Sequence, residues 1–333
     1  MHLQPDALNS FFNSSEIRNI AIEPLTGDAS ARKYFRLRSP DMSWILCFDA
    51  EYLNHTTANY PFLDIQFLLS SCKIPVPRII GCDKKQGFIL LEDCGDILLQ
   101  DALKREDTDR SSLYRNVVDI MTSLQSIRGK GTEMPFDRAF DEEKLMFEFT
   151  FFLDNASLYE THGFSEKETL ILKNEFHRIT QHLVKPEHFV LNHRDYHSRN
   201  ILVTPSGPVI IDFQDARLGL PQYDAVSLLR DSYVTLDETF VYQMQQYHYL
   251  QLRENGLTAM SFDEYLRLFD LMAFQRNVKA LGTFFNQTCS LGKKGFRQYI
   301  APTLAYLPGY MARQAELKES GAIILNVLHQ PTP

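Results

Sequence analysis

Asp195, Asn200 and Asp212 are the residues of this sequence whose types and spacing could do chemistry. They lie in His193-Arg194-Asp195-Tyr196-His197-Ser198-Arg199-Asn200 and in Ile211-Asp212-Phe213, an acid five residues before an amide and a second acid twelve residues beyond it. Phosphoryl transfer uses this spacing: a carboxylate orients or accepts the proton of an attacking hydroxyl, and oxygen ligands hold Mg²⁺ on the phosphates of ATP. Asp195 takes the first role in this reading, and Asn200 with Asp212 the second. His193 and His197 flank Asp195, but no His-Glu-x-x-His helix is present, so the cluster does not read as a zinc site.

The elements that must position these groups are short. Ile201-Leu202-Val203 and Val209-Ile210-Ile211 are β-branched-rich runs on either side of Thr204-Pro205-Ser206-Gly207-Pro208. Together they predict a tight hairpin that returns Asn200 and Asp212 to the same end of two strands. An Asp-x4-Asn alone matches many polar turns; here the preceding His-Arg, the hairpin and the closing Asp-Phe agree.

Two lobes around a cleft are expected, because 333 residues exceed what one core usually supports. From Ile20 to Asp93 the signals are mostly extended: Ile20–Ile22, Lys33–Arg38, Trp44–Phe48 and Phe88–Leu91. One helix interrupts them over Pro61–Ser71, and Ile74-Pro75-Val76-Pro77 cannot continue it. After Cys94-Gly95 the pattern predicts long amphipathic helices near 96–106, 110–128, 141–161, 165–184, 222–231, 236–256, 261–290 and 294–319. The expected class is α+β, a small β-rich N-terminal lobe over 1–93 and a large helical lobe over 94–333, in kinase-like order.

Composition narrows the partners. With 42 acidic against 34 basic residues the net charge is −8, which argues against a nucleic-acid partner. The five cysteines form no C-x-x-C pair and read as reduced thiols of a cytoplasmic protein. The N-terminal residues show no basic n-region or apolar core, and no uncharged apolar run is long enough to span a membrane.

From Gly27 to about Leu307 the sequence resembles the aminoglycoside phosphotransferase superfamily of kinase-like enzymes. The resemblance is carried by Gly27-Asp28-Ala29-Ser30 with Arg32 to Arg36, Leu90-Leu91-Glu92-Asp93, His193 to Asn200, and Ile211 to Ala216. Tyr223-Asp224 with Ser227 to Asp231, and Gln275 to Gly282, extend it. Within the superfamily, Asp-Phe-Gln-Asp-Ala and Gln-Arg-Asn are most similar to the bacterial anomeric sugar kinases that act on N-acetylmuramate and N-acetylglucosamine at C1. The resemblance implies a small amino-sugar substrate and a place in cell-wall sugar recycling. Other acceptors in the same reading are an aminoglycoside, choline or a homoserine-like alcohol, and a nucleotide-binding pseudokinase is the non-catalytic alternative.

Neither Gly292-Lys293 nor Gly129-Lys130 is followed by Ser or Thr, so no Walker A sequence exists. By resemblance, Gly27, Asp28, Ala29 and Ser30 form a turn over the phosphates; by itself the stretch reads as a hairpin turn. The lysine expected to pair the phosphates is missing from Trp44-Ile45-Leu46-Cys47-Phe48. Arg32 or Lys33 would supply the cation, Arg32 preferred for its planar fork. Glu92 and Asp93 fall in the implied hinge, whose backbone would hold adenine; Asp93 or Asp96 could instead cap the next helix.

For the acceptor, Asp215 and Arg230 are candidate sugar ligands. His197 either contacts the acceptor or packs. Asp224 either braces the catalytic loop through backbone N–H groups, as in kinase-like folds, or contacts the substrate, the first being preferred. Arg276 is the candidate partner for the lactyl carboxylate of N-acetylmuramate, while Lys279 reads as a surface lysine. Phe147, Phe149, Phe151 and Phe152 read as core.

Overall fold

The computed structural model describes residues 8–25, 32–55, 59–159 and 163–328, so the Gly27–Ser30 turn lies outside the described residues. The chain divides into two compact units, residues 1–97 with 202–214, and residues 98–201 with 215–333. The sequence divides the chain once, after residue 93; by contacts the hairpin region joins the N-terminal unit.

The first unit is built on an antiparallel sheet of order β1-β2-β3-β5-β4, with β1 Ala21–Leu25, β2 Lys33–Arg38, β3 Ser43–Phe48, β4 Ile79–Asp83 and β5 Phe88–Glu92. Alternation along β2 decides its faces. Phe35 and Leu37 pack with Leu46, Phe88, Leu90 and Leu8 in one apolar cluster, to which Phe11, Phe12 and Trp44 add. Tyr34 and Arg36 point to the other face. Helix α1, Ser14–Ile17, precedes the sheet; α2, Ala50–Asn54, and α3, Pro61–Ser71, follow β3. Asp49 caps α2 by accepting from the Glu51 N–H, and α3 begins, as expected, with proline in its first turn. β4 had no clear alternating signal, and its register shifts between Ile79 and Gly81. The hairpin is present as β7 Ile201–Thr204 and β8 Gly207–Ile210. The Ile210 N–H donates to the Pro75 carbonyl at 2.8 Å and the Val203 N–H to the Ile97 carbonyl at 2.8 Å. These bonds account for its membership of the first unit.

The second unit is largely helical: α4 Leu99–Ala102, α5 Arg110–Gln125, α6 Glu142–Tyr159, α7 Glu166–Leu183, α8 Gln222–Leu229, α9 Glu238–Glu254 and α10 Phe262–Phe285. A short pair, β6 Val190–Asn192 and β9 Arg217–Gly219, lies among them. Helix α10 is buried along most of its length and packs on α6 and α8. A Cβ on Gly282 would lie 2.7 Å from the Phe152 Cα, so the two helix backbones approach where only glycine fits. Phe149 stacks on Phe176 at 4.0 Å; Phe149 and Phe152 are core, whereas Phe147 is 60% exposed.

Two expected helices differ. The stretch 96–106 keeps only α4, since Asp96 turns to Arg36 and the N-cap, Leu98, offers no side-chain acceptor. The stretch 294–319 breaks into a 3₁₀ turn, α11 Ile300–Leu304, α12 Leu307–Arg313 and a second 3₁₀ turn, after which α13 runs Lys318–Leu328. Pro308 restarts the chain in the first turn of α12, where its missing N–H costs nothing. Among the described residues no helix is long and apolar enough to cross a membrane.

Candidate active site

Strand β6 leads directly into the loop that carries Asp195. The loop is held from below by side chains that accept its backbone N–H groups. Asp224, buried in the first turn of α8, accepts from His193 at 2.6 Å and Arg194 at 3.0 Å. Asp231 accepts from the Ser198 N–H at 2.9 Å, and the Tyr196 hydroxyl donates to the Val117 carbonyl at 2.8 Å. Arg194 has φ 87°, a left-handed conformation that a non-glycine residue keeps only when its surroundings enforce it. Burial pushes the Asp224 carboxyl up to about 7, against its two N–H donors and Arg276.

Asp195 emerges from this loop with its side chain 22% exposed and three cations around it. Lys279 Nζ lies 3.2 Å away, and Arg276 Nη2 and Arg194 Nε each 3.9 Å. Burial alone would raise the carboxyl, but these cations, Lys279 foremost, outweigh it and hold Asp195 well below the usual carboxylate range. It is therefore ionised near neutral pH. Arg276 and Lys279 stand three apart on α10, so one helix face supplies both. The sequence reads Lys279 as a surface lysine; instead its side chain is only 17% exposed and turned to Asp195, because α10 is buried along most of its length.

Arg276 lies beneath the loop: Nη1 donates to the Arg194 carbonyl at 2.8 Å, and the guanidinium sits 4.3 Å from the Tyr223 ring centre. Asn200 Nδ2 donates to the Asp195 carbonyl at 3.0 Å, which commits its nitrogen and leaves its oxygen as a possible ligand. The His197 ring meets Tyr233 edge-on at 5.2 Å, and its Nδ1 has no hydrogen-bond partner among the described residues. Burial, with Arg276 and Lys279 nearby, lowers His197 to about 4 despite Asp195, so the ring is neutral near pH 7.

Asp215 is brought to the same place, its side chain 44% exposed and 3.0 Å from Arg194 Nη1. Arg230 is not. Its terminal nitrogens grip Glu238 at 2.6 and 2.7 Å, and the rings of Tyr306 and Tyr310 flank its guanidinium. Asn277 donates to the Arg230 carbonyl at 3.2 Å, tying this group to α10.

In the first unit, Arg32 Nε donates to Asp49 at 2.5 Å, and the Tyr60 hydroxyl donates to the same carboxylate oxygen. The Arg32 guanidinium lies 5.3 Å from the Phe62 ring centre. Asp49 was not singled out in the sequence; its signal is the acid just before a short helix. Lys33 is exposed at the start of β2. Asp93 and Asp96 clasp Arg36 at 3.0 and 2.7 Å, so neither caps α4, while Glu92 accepts from Arg78 at 3.0 Å. Asp212 is exposed with φ 66°, and its Oδ1 accepts from Gln214 Nε2 at 2.9 Å.

Comparison with known proteins bears on this loop. A Pseudomonas aeruginosa N-acetylmuramate/N-acetylglucosamine kinase is 30% identical over 318 residues, spanning 94% of this chain and 90% of that protein. A Neisseria meningitidis serogroup B protein of the same name is 29% identical over 307 residues, 90% of this chain and 89% of the relative. The fold is shared with a Plasmodium vivax ethanolamine kinase at TM-score 0.64 and 15% identity, covering 92% of this chain and 87% of that one. It is also shared with the streptomycin-ATP-APH(2")-IIa ternary complex at TM-score 0.57 and 14% identity, covering 84% and 91%. The expected kinase-like α+β class is thus the observed one. The family model described as phosphotransferase enzyme family matches residues 21–261, from β1 through the loop of Asp195 and past α9, and the chain belongs to that family.

Proposed function

We propose that the protein is an ATP- and Mg²⁺-dependent kinase of an amino sugar, N-acetylmuramate or N-acetylglucosamine, with the anomeric hydroxyl as acceptor. The observation that carries this is Asp195, ionised by Lys279 at the head of a braced loop. The relatives' names supply the sugar. The three cations around Asp195 disfavour a cationic acceptor such as choline or an aminoglycoside.

In this reading the acceptor hydroxyl donates its hydrogen bond to Asp195. As its oxygen bonds to the γ-phosphorus, the bond from that phosphorus to the β,γ-bridging oxygen breaks, the proton passes to Asp195 and ADP leaves. Asn200 and Asp212 would hold Mg²⁺; an amide oxygen and a carboxylate suit a hard cation, which offsets phosphate charge when bound. Gly27, Asp28, Ala29 and Ser30 would cover the phosphates, Arg32 would pair with them, and the backbone at Glu92 and Asp93 would hold adenine. His197, whose Nδ1 has no hydrogen-bond partner among the described residues, and Asp215 would meet sugar hydroxyls. Arg230, engaged by Glu238, we assign to holding the end of α8.

Such an enzyme would act on free amino sugars of cell-wall turnover in the cytoplasm. The test is incubation with ATP, Mg²⁺ and a panel of amino sugars, following ADP release. A 1-phosphate product loses reducing-end reactivity and carries an acid-labile phosphate; a product that stays reducing rules out the anomeric position.

A further inference from the structure

Beside the Asp195 loop, the second unit carries an open pocket of about 550 Å³, a size that suits a small ligand. Its walls come from the 136–141 stretch, the first turns of α6 and β9. The stretch is fastened to β9 by main-chain bonds, Phe140 N–H to the Leu218 carbonyl at 2.8 Å and Leu218 N–H to the Arg138 carbonyl at 3.0 Å. Strand β9 in turn pairs with β6, Arg217 opposite Asn192, one residue before the catalytic loop begins. Main-chain hydrogen bonds thus connect the pocket wall, through β9 and β6, to the loop that carries Asp195.

Arg138, Lys144 and Arg217 line the pocket, each half-buried. Its acids, Asp137, Asp141 and Glu143, are all exposed, and Asp141 already accepts the Lys144 backbone N–H at 2.8 Å. Among the described residues no carboxylate lies within ion-pair distance of the Lys144 ammonium, which instead sits 4.8 Å from the Phe147 ring centre. Partial burial, then Arg194, Arg217 and Lys279, push this ammonium below its ordinary value against the pull of Glu148. A half-buried cation among other cations is costly unless an anion joins it. Phe136 and Phe147 add apolar wall, and 60% of Phe147 is open to solvent.

A line of charges links this pocket to the reacting group: Asp195 to Arg194 at 3.9 Å, Arg194 to Asp215 at 3.0 Å, and Asp215 to Arg217 at 3.8 Å. We propose that the pocket formed by Arg138, Lys144, Arg217, Phe136 and Phe147 is an acceptor subsite for a carboxylate carried off the sugar ring, the lactyl group of N-acetylmuramate. The inference rests on the amino-sugar kinase reading. It moves carboxylate recognition away from Arg276, which is committed to the Arg194 carbonyl and Tyr223. The subsite distinguishes a sugar acid from its neutral counterpart, which lacks the group.

The test compares kcat/KM for N-acetylmuramate and N-acetylglucosamine in the wild type, Lys144→Met and Lys144→Arg. The ratio of the two falls about tenfold in Lys144→Met, through KM for N-acetylmuramate, as loss of one charge-assisted contact predicts, and recovers in Lys144→Arg. The methyl ester of N-acetylmuramate, given to the wild type, shows the same rise in KM without any substitution. An unchanged ratio with an unchanged ester KM overturns the subsite, as does a rise confined to the KM for ATP, which would assign the cations to nucleotide phosphate. A wild type inactive on both sugars overturns the kinase reading instead.

Discussion

The Lys279 ammonium and the Asp195 carboxylate, 84 residues apart in sequence, meet at 3.2 Å. The pair sets the charge of the proposed base from a helix outside the catalytic loop, with Arg276 one turn earlier on the same helix tying that loop down. Lys279 thereby couples the charge of Asp195 to the placement of α10.

Replacing Lys279 with Met removes the strongest influence holding Asp195 down, so its carboxyl moves up toward the ordinary range. Activity needs the ionised form; it is lost as pH falls through the carboxyl's pKa, so the acid limb of kcat/KM shifts to higher pH. A pH–rate profile checks this, and an unmoved acid limb would contradict it. Asp195→Asn, which removes the acceptor itself, lowers kcat by about 10²–10⁴ at every pH.

Asp224→Ala leaves the His193 and Arg194 N–H groups buried without their acceptor. The cost is about 1–3 kcal/mol for each donor, measured by urea unfolding. Asp224→Asn retains one acceptor oxygen and falls between the Ala variant and wild type. Equal stability of all three would show that the loop holds its shape without this residue.

His248 is fully buried between Tyr265, whose hydroxyl lies 2.8 Å from Nδ1, and Gln125, whose Oε1 lies 2.9 Å from Nε2. Burial lowers it to about 3, so the folded ring stays neutral while the unfolded one protonates below its ordinary pKa, near 6.5. The unfolded state then binds the extra proton, and stability falls as pH drops from about 6.5 toward 3, at up to ~1.4 kcal/mol per pH unit. In His248→Gln this contribution to the slope disappears; parallel stability–pH curves for the two proteins would refute the assignment.

Arg32→Ala raises KM for ATP if Arg32 replaces the missing strand lysine. Asp49→Asn does so more mildly by loosening its partner, and Lys33→Ala, at an exposed position, has little effect. Steady-state kinetics at saturating sugar separate the three, and a null effect of Arg32→Ala removes it from the nucleotide site.

What the sequence disclosed was local. The Asp195–Asn200 spacing, the hairpin and α3 were readable because each depends on neighbours within a few residues: Pro61 opens α3, and Pro75 and Pro77 prevent its extension. β4 was hidden because Gly81 and Cys82 weaken an alternating pattern and Ile80 faces solvent. Asp49 escaped, and Lys279 was read as a surface group, because their partners are chosen by tertiary packing. Helix capping was one of two readings of Asp93 and Asp96, beside the hinge, yet Arg36, buried in β2, recruits both. Arg276 is a comparable case: a cation on a helix suggests a ligand for an anion, and its packing against Tyr223 and the Arg194 carbonyl was not visible from sequence.

The discontinuity of the first unit has a consequence for biosynthesis. Pro75 and Ile97 receive their hairpin donors only from residues 203–210, which leave the ribosome after the whole of 98–201. The five-stranded sheet can pair within residues 21–92, but the segments around Pro75 and Ile97 gain their main-chain donors late, and a fragment ending at residue 97 would present those carbonyls without their donors and an exposed Phe62 face where Phe213 belongs. Separate expression of the two halves at the apparent sequence boundary would cut through one folding unit.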